Sequence, residues 1–309
     1  MSVKTFISVG ECMAELQATN EGLYRLGFAG DTLNTAWYMK ALTNSSNVTV
    51  DYLTSIGTDQ LSQKMLAFLQ AGGIGTRFVS EVPDRTVGLY LITLTGAERS
   101  FTYWRNASAA RLLAQDEKVL HCALLQADVI YFSGITLAIL SPPHRKIFLS
   151  VLRELKMRDV TIAFDTNTRR RLWQSDAEME EAMIEGYKVA TLALPTFDDD
   201  RALFGDATAA DSIRRIASYG VREIVVKDGE KPCLVFANDK LISVVPEPVS
   251  GVIDTTGAGD SFNAGYIAAR LAEKDPTQAA KFAHCVAGRV ICSRGALLDM
   301  SGFSDLALN

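Results

Sequence analysis

The chain has 309 residues, a formal net charge of −5, 48% apolar residues and 22% charged ones. That apolar share excludes a disordered chain, and the lack of any uninterrupted apolar run of about 18 residues excludes a membrane-spanning helix. A mildly acidic chain also lacks the basic face that broad nucleic-acid binding requires. The length suits one large α/β domain with a smaller appendage, or two medium domains.

The first ten residues, Met1-Ser2-Val3-Lys4-Thr5-Phe6-Ile7-Ser8-Val9-Gly10, show no long apolar stretch before a small-residue cleavage site and read as the first strand of a cytoplasmic protein. Short β-branched or apolar runs bounded by Gly, Asp, Asn or Pro follow at 48–56, 128–133, 160–165, 189–195 and 222–227, and helical stretches near 32–43, 59–71, 143–157, 176–188 and 209–219 separate them. This alternation predicts a doubly wound parallel sheet with helices on both faces. Two regions break it. Residues 12–17 and 24–28 and the runs 86–95 and 98–105, the latter pair joined through Thr95-Gly96-Ala97, have the alternation of a small antiparallel sheet of the kind that covers a cleft. Two strands near 232–236 and 240–245 and two long helices, about 257–272 and 276–292, complete the chain.

The five cysteines (Cys12, Cys122, Cys233, Cys285, Cys292) are scattered and form no C-x-x-C pair, so neither a disulfide framework nor a structural zinc site is expected; Cys285 and Cys292, seven apart on a probable helix, read as small buried apolar groups. His121, His144 and His284 fit no metal or triad pattern. Catalysis therefore falls to carboxylates, arginines and backbone. The sharpest local signal is Asp254-Thr255-Thr256-Gly257-Ala258-Gly259-Asp260-Ser261-Phe262, a polar turn with two glycines opening into an apolar helix. A helix start exposes unpaired N–H groups and the positive end of the helix dipole, which suits an anion; the same pattern also fits an ordinary capped helix. No G-x-x-x-x-G-K-[ST] run occurs, and Gly257 and Gly259 lack the third glycine of the dinucleotide fingerprint.

The segment 254–262 resembles the second signature of the ribokinase-like (PfkB-type) carbohydrate kinases, and Gly30-Asp31-Thr32-Leu33-Asn34-Thr35-Ala36 resembles their first. The likeness runs over essentially the whole chain. It implies a three-layer α/β/α fold with a mostly parallel central sheet and a small antiparallel lid, organised as one kinase domain over 1–309 whose lid comes from excursions at about 12–28 and 76–105. Within the family, Gly10-Glu11-Cys12-Met13, Phe101-Thr102-Tyr103-Trp104-Arg105-Asn106, Leu137-Ala138-Ile139-Leu140-Ser141-Pro142 and Arg170-Arg171-Leu172-Trp173 are most like the members that phosphorylate the C6 hydroxyl of 2-dehydro-3-deoxygluconate with ATP.

Matched motif by motif, the resemblance implies that Asp260 is the base for the attacking hydroxyl, ionised at neutral pH beside its helix start, and that the N–H groups of Gly257, Ala258 and Gly259 hold the transferring phosphoryl group. It implies sugar contacts from Gly30, Asp31, Asn34, Tyr90, Tyr103, Arg105 and Arg169, and nucleotide contacts from Asn167, Arg169, Lys227 and Gly229. An arginine fork suits a sugar carboxylate because it donates two parallel hydrogen bonds. Arg105 could equally be an exposed charge on the lid, Arg169 a surface partner of Asp165 or Asp176, and Lys227-Asp228-Gly229 a plain hairpin turn. The family's metal-associated Asn-x-x-Glu stands here as Thr196-Phe197-Asp198-Asp199, which leaves Asp199 as the Mg2+ carboxylate. A monovalent cation would lie between the turn at 254–256 and residues 293–296. The partners implied are a small sugar acid and a second copy of the chain, in a dimer through the lid or a higher oligomer, with no nucleic acid and no membrane. A kinase for fructose, ribose or a nucleoside, or a non-catalytic sensor on the same scaffold, are the alternatives.

Overall fold

The computed structural model describes residues 3–19, 22–43, 47–95 and 98–308. Strand β1 (Lys4–Val9) leads through Gly10 into the hairpin β2 (Met13–Ala18) and β3 (Tyr24–Ala29), and the chain returns through Gly30 to helix α1 (Asp31–Thr43). Next come β4 (Val48–Ile56), α2 (Gln60–Ala71), β5 (Gly75–Glu81) and a second excursion, β6 (Gly88–Thr95) and β7 (Glu98–Trp104). The middle of the chain runs α3 (Glu117–Leu124), β8 (Val129–Ser133), α4 (Gly134–Ile139), α5 (Pro142–Lys156), β9 (Thr161–Asp165), α6 (Asp176–Val189), β10 (Leu192–Ala193), α7 (Phe197–Phe204), α8 (Ala209–Ser218) and β11 (Glu223–Val226). The hairpin β12 (Cys233–Ala237) and β13 (Lys240–Val244) precedes the last helices, α9 (Ala258–Leu271) and α10 (Pro276–Val290).

Helix starts are fixed by short polar side chains that take up otherwise unpaired N–H groups. Asp59 caps α2, Asp116 caps α3, and Ser141 followed by Pro142 starts α5. Thr208 with Asp211 and Asp275 with Gln278 close reciprocal capping boxes at α8 and α10.

The large sheet has nine strands in the order β13-β12-β11-β10-β9-β8-β1-β4-β5, parallel except for the β11-β12-β13 edge. The two-residue period of its strands sends side chains alternately to two cores. Phe6, Tyr131, Ala163 and Val225 join the core under α1, α2, α9 and α10. Ile7, Phe132, Phe164 and Val226 join the one under α3, α5, α6 and α8. Both faces are thereby dry, and the parallel strands all end on one edge. Gly10, Ser133, Asp165 and Lys227 sit at or just past those carboxyl ends, where open α/β sheets bind ligands. Among the described residues no helix is long and apolar enough to cross a membrane.

The second sheet, ordered β3-β2-β6-β7, stands over that edge. Its hairpins are antiparallel, while β2 and β6 pair in parallel because they belong to different excursions. The excursion expected from residue 76 starts later: 75–81 forms β5, the far edge of the large sheet, beside β4. Gly96 and Ala97 of the expected turn lie outside the described residues. Met13, Tyr90 and Ile92 are the apolar residues this sheet buries as a cluster of its own. The five cysteines are unpaired; Cys12 and Cys233 are buried and Cys122 is exposed, whereas Cys285, expected to be buried, is exposed and Cys292 is only half-buried.

Gly30 marks the crossing from small sheet to α1, and a Cβ there would sit 2.3 Å from the Glu11 carbonyl oxygen. Backbone cannot yield as a flexible side chain can. Gly30→Ala is therefore expected to destabilise the fold by about 1–3 kcal/mol, measured as a lower denaturation midpoint with an unchanged denaturant slope.

Candidate active site

Between the two sheets lies a cleft of about 720 Å³. Its floor is made by two helix starts. Gly257 holds a left-handed conformation (φ 78°) packed against the Ala296 carbonyl, a position that only glycine occupies without strain, and it turns the chain into α9. The first helical bond of α9 runs from Ser261 N–H to Gly257 O, so the N–H groups of Gly257, Gly259 and Asp260 have no partner one helical turn back. The Ala258 N–H, expected to join them, instead donates to Thr255 O at 3.2 Å. Gly259 leaves its backbone bare toward the cleft, with the Lys227 ammonium beside it.

Asp260 follows in the same turn and is half-buried. Its Oδ2 accepts from Asn34 Nδ2 at 2.7 Å, and its carbonyl accepts from the Thr35 hydroxyl at 3.3 Å. Both donors come from the first turn of α1, so the two signature segments meet directly. Burial, with Asp31 and Asp165 nearby, pushes the Asp260 carboxyl up to about 7 against the pull of Asn34 and Lys227. Desolvation and like charges thus oppose the ionisation at neutral pH expected from the helix dipole. A dipole contributes about 0.3–2 kcal/mol, whereas desolvation beside like charges can move a carboxyl by several pH units.

Asp31 accepts from Asn167 Nδ2 at 2.8 Å, and Asn167 adopts a left-handed backbone (φ 30°) just past β9. Deeper down lies a polar group that the sequence reading missed. Asp165 Oδ2 accepts from Lys227 Nζ at 3.0 Å and from Asn263 Nδ2 at 2.7 Å, and Lys227 also donates to Asn263 Oδ1 at 2.9 Å. Lys227 is therefore buried and committed to neighbours. The turn that follows it contains Gly229 (φ 58°), which does not line the cleft. An aspartate closing a buried strand was the available signal for Asp165, since strand ends of this sheet face the ligand edge.

On the opposite wall, Asp199 and Thr196 line the cleft beside Arg169. Asp199 accepts from the Thr168 N–H at 3.2 Å, and burial together with Asp165 raises its carboxyl above the usual range. Arg169 is exposed and bonds only its neighbour's carbonyl, Thr168 O, at 2.9 Å; the surface pair with Asp176 is made by Arg170 instead. The predicted cation turn and tail do meet, through the Gly295 N–H donating to Asp254 Oδ2 at 2.7 Å.

The roof comes from the small sheet. Tyr90, Phe101 and Tyr103 stack on its cleft side, with Tyr90 and Tyr103 ring centres 5.8 Å apart. Tyr90 donates to Glu15 on the adjacent strand. Arg105 lines the cleft but is not an exposed lid charge: it is 8% exposed and paired with the fully buried Glu11 side chain. Neither glutamate was singled out from the sequence, because each partner is at least 75 residues away. Among the described residues no three acidic, His or Cys side chains gather as a metal cage.

A carboxylate held beside unpaired N–H groups, in a cleft also lined by arginines and tyrosines, has the chemistry to serve group transfer to a polar, anionic substrate. The comparisons make the class particular. The model of the pfkB family carbohydrate kinases matches residues 4–301, and the chain belongs to that family. It is similar to the 2-dehydro-3-deoxygluconokinases of Haemophilus influenzae (38% identical, covering 98% of both chains) and Escherichia coli K12 (41% identical, covering 96% of this chain and 97% of the relative). A solved E. coli protein in complex with ATP and Mg2+ shares the fold, with a TM-score of 0.80 at 23% identity over 98% of this chain and 96% of that one.

If Asp31 is among the charges that raise Asp260, Asp31→Asn lowers the Asp260 titration midpoint from about 7 toward the ordinary carboxylate range, because a like charge has been removed. Carbon-13 NMR of labelled aspartate carboxyls, with Asp260→Asn to assign the signal, reads this shift.

Proposed function

We propose that the protein transfers the γ-phosphoryl group of ATP to the C6 hydroxyl of 2-dehydro-3-deoxygluconate, giving the 6-phosphate and ADP. The observation that carries this reading is that one cleft is lined both by Asp260 and the bare start of α9 and by Arg105, Arg169, Tyr90 and Tyr103. Near-full-length identity of about 40% to relatives of that name supports it.

In this reading Asp260 accepts the hydroxyl proton, and Asn34 holds its carboxylate toward the sugar. Phosphoryl transfer depends on positioning and charge stabilisation more than on a strong base. The N–H groups of Gly257 and Gly259, with Asp260's own, receive the charge of the transferring group. Gly30, Asp31 and Asn34 read the sugar hydroxyls, while Asn167, Arg169 and Lys227 lie toward the nucleotide phosphates. Mg2+ suits the site because Asp199 and Asp165 face the same cleft, and burial with the Asp165 charge nearby raises the Asp199 carboxyl, a repulsion that a divalent cation relieves. When bound, the metal neutralises triphosphate charge, and it needs only one or two protein carboxylates to do so. The Asp254 turn against 293–296 is the place for a monovalent cation.

The small sheet serves as the lid and as the dimer surface. Strand register separates its aromatics: Phe101 and Tyr103 face the cleft, whereas Trp104 lies on the other face of the sheet, as do Leu26 and Tyr24 on the far strand. Trp104 and Tyr24 are each 56% exposed. A second copy would cover this apolar face, and five unpaired cysteines fit the reducing cytoplasm.

Four results are expected. ADP release is fastest with 2-dehydro-3-deoxygluconate in a panel with gluconate, fructose and ribose; a preference for fructose or ribose would replace the substrate. Asp260→Asn lowers turnover by about 10²–10⁴-fold while leaving ATP binding within a few-fold. In the wild type kcat/KM falls as pH drops through about 7, since the base must be ionised. Trp104→Glu shifts the protein toward monomer in light scattering at micromolar concentration, and a wild type that is already monomeric there removes the dimer.

A further inference from the structure

The Glu11–Arg105 pair is an unusual way to hold a charge. The Glu11 side chain is fully buried and Arg105 nearly so, yet Glu11 Oε1 and Arg105 Nε have no hydrogen-bond partner. A buried ion pair kept for stability needs its remaining lone pairs and protons satisfied, because desolvating both ions otherwise outweighs their attraction. Here one link, Nη2 to Oε2, does all the holding, and the rest of the guanidinium is left without a protein acceptor. Room for the arrangement is built in: a Cβ on Gly88 would lie 2.7 Å from Glu11 Oε1 and 3.2 Å from the Arg105 Cβ. Location adds to this. Glu11 lies in the crossing from β1 to β2 and Arg105 directly follows β7, so the pair joins the base of both excursions of the small sheet.

We infer that Glu11 is a positioning residue for substrate recognition: it pins the Arg105 guanidinium in the cleft wall with unpaired N–H groups reserved for the carboxylate of an acidic sugar. The inference rests on the sugar-acid reading above. Its physical core is that a guanidinium at 8% exposure stays buried only while an anion offsets it. Without Glu11's charge Arg105 leaves for water, and the fork is no longer waiting where the substrate carboxylate arrives.

The test is a double-mutant cycle of Glu11→Gln and Arg105→Met, both close to the original volumes, with the double variant free of any stranded charge. Glu11→Gln is expected to raise KM for 2-dehydro-3-deoxygluconate by about tenfold or more, with kcat changed less and KM for ATP unchanged. Placed on Arg105→Met it should add nothing further, and Glu11→Asp should recover part of the loss by restoring the charge on a shorter arm. An unchanged or lowered KM in Glu11→Gln overturns the inference, as do additive effects or a parallel rise in KM for ATP, which would mark a merely structural residue. Wild-type turnover separates this from the substrate reading. If the wild type prefers another sugar of the panel, that reading fails, and the same cycle run on the preferred sugar keeps Glu11's role if the two effects remain coupled and removes it if they add.

Discussion

One hydrogen bond, from Asn34 Nδ2 to Asp260 Oδ2, joins two helix starts 226 residues apart in the chain, and the cleft is organised around it. It can form only because α1 and α9 pack on the same face of the large sheet with their N-termini at the same edge. That arrangement follows from parallel strands whose connections return each chain segment to the starting side. The two glycine turns, at Gly30 and at 257–259, bring bare backbone to the same place. Sugar recognition and phosphoryl transfer are thus two uses of one junction.

Charge in this junction is unbalanced by design of the packing. Asp31, Asp165 and Asp260 lie within mutual influence, and the Lys227 ammonium is held by Asp165 and Asn263. These neighbouring charges oppose the ionisation of Asp260. Asp260's elevated carboxyl is the local sign of that crowding. The roof has the opposite arrangement, in which Glu11 and Glu15 on the first excursion each hold one recognition group, Arg105 and Tyr90, from the second.

Much of this was legible in the sequence, for identifiable reasons. Strands such as Lys4–Val9 and Val129–Ser133 are buried on both faces, and continuous apolar runs betray them. The helix start at Asp260 was visible because its glycines and polar residues are contiguous. Strand β5 was hidden, since an edge strand with half-buried Thr76, Phe78 and Val79 has no distinctive pattern. Helix α7 was also hidden, being eight residues with three acids in its first turn. The partners of Arg105, Tyr90 and Lys227 were illegible for a different reason: Glu11, Glu15, Asp165 and Asn263 are distant in the chain, and pairing across the fold leaves no periodic trace.

The small sheet's own apolar cluster is small, although Ala14 and Phe28 also reach the large core, and this has a consequence for motion. Its own apolar cluster is Met13, Tyr90 and Ile92, against dozens of core residues on either side of the large sheet. Segments with few buried contacts open at a lower free energy than the body to which they attach. Amide protons of β2, β6 and β7 therefore exchange with solvent through a sub-global opening, while those of β1, β8 and β9 wait for complete unfolding.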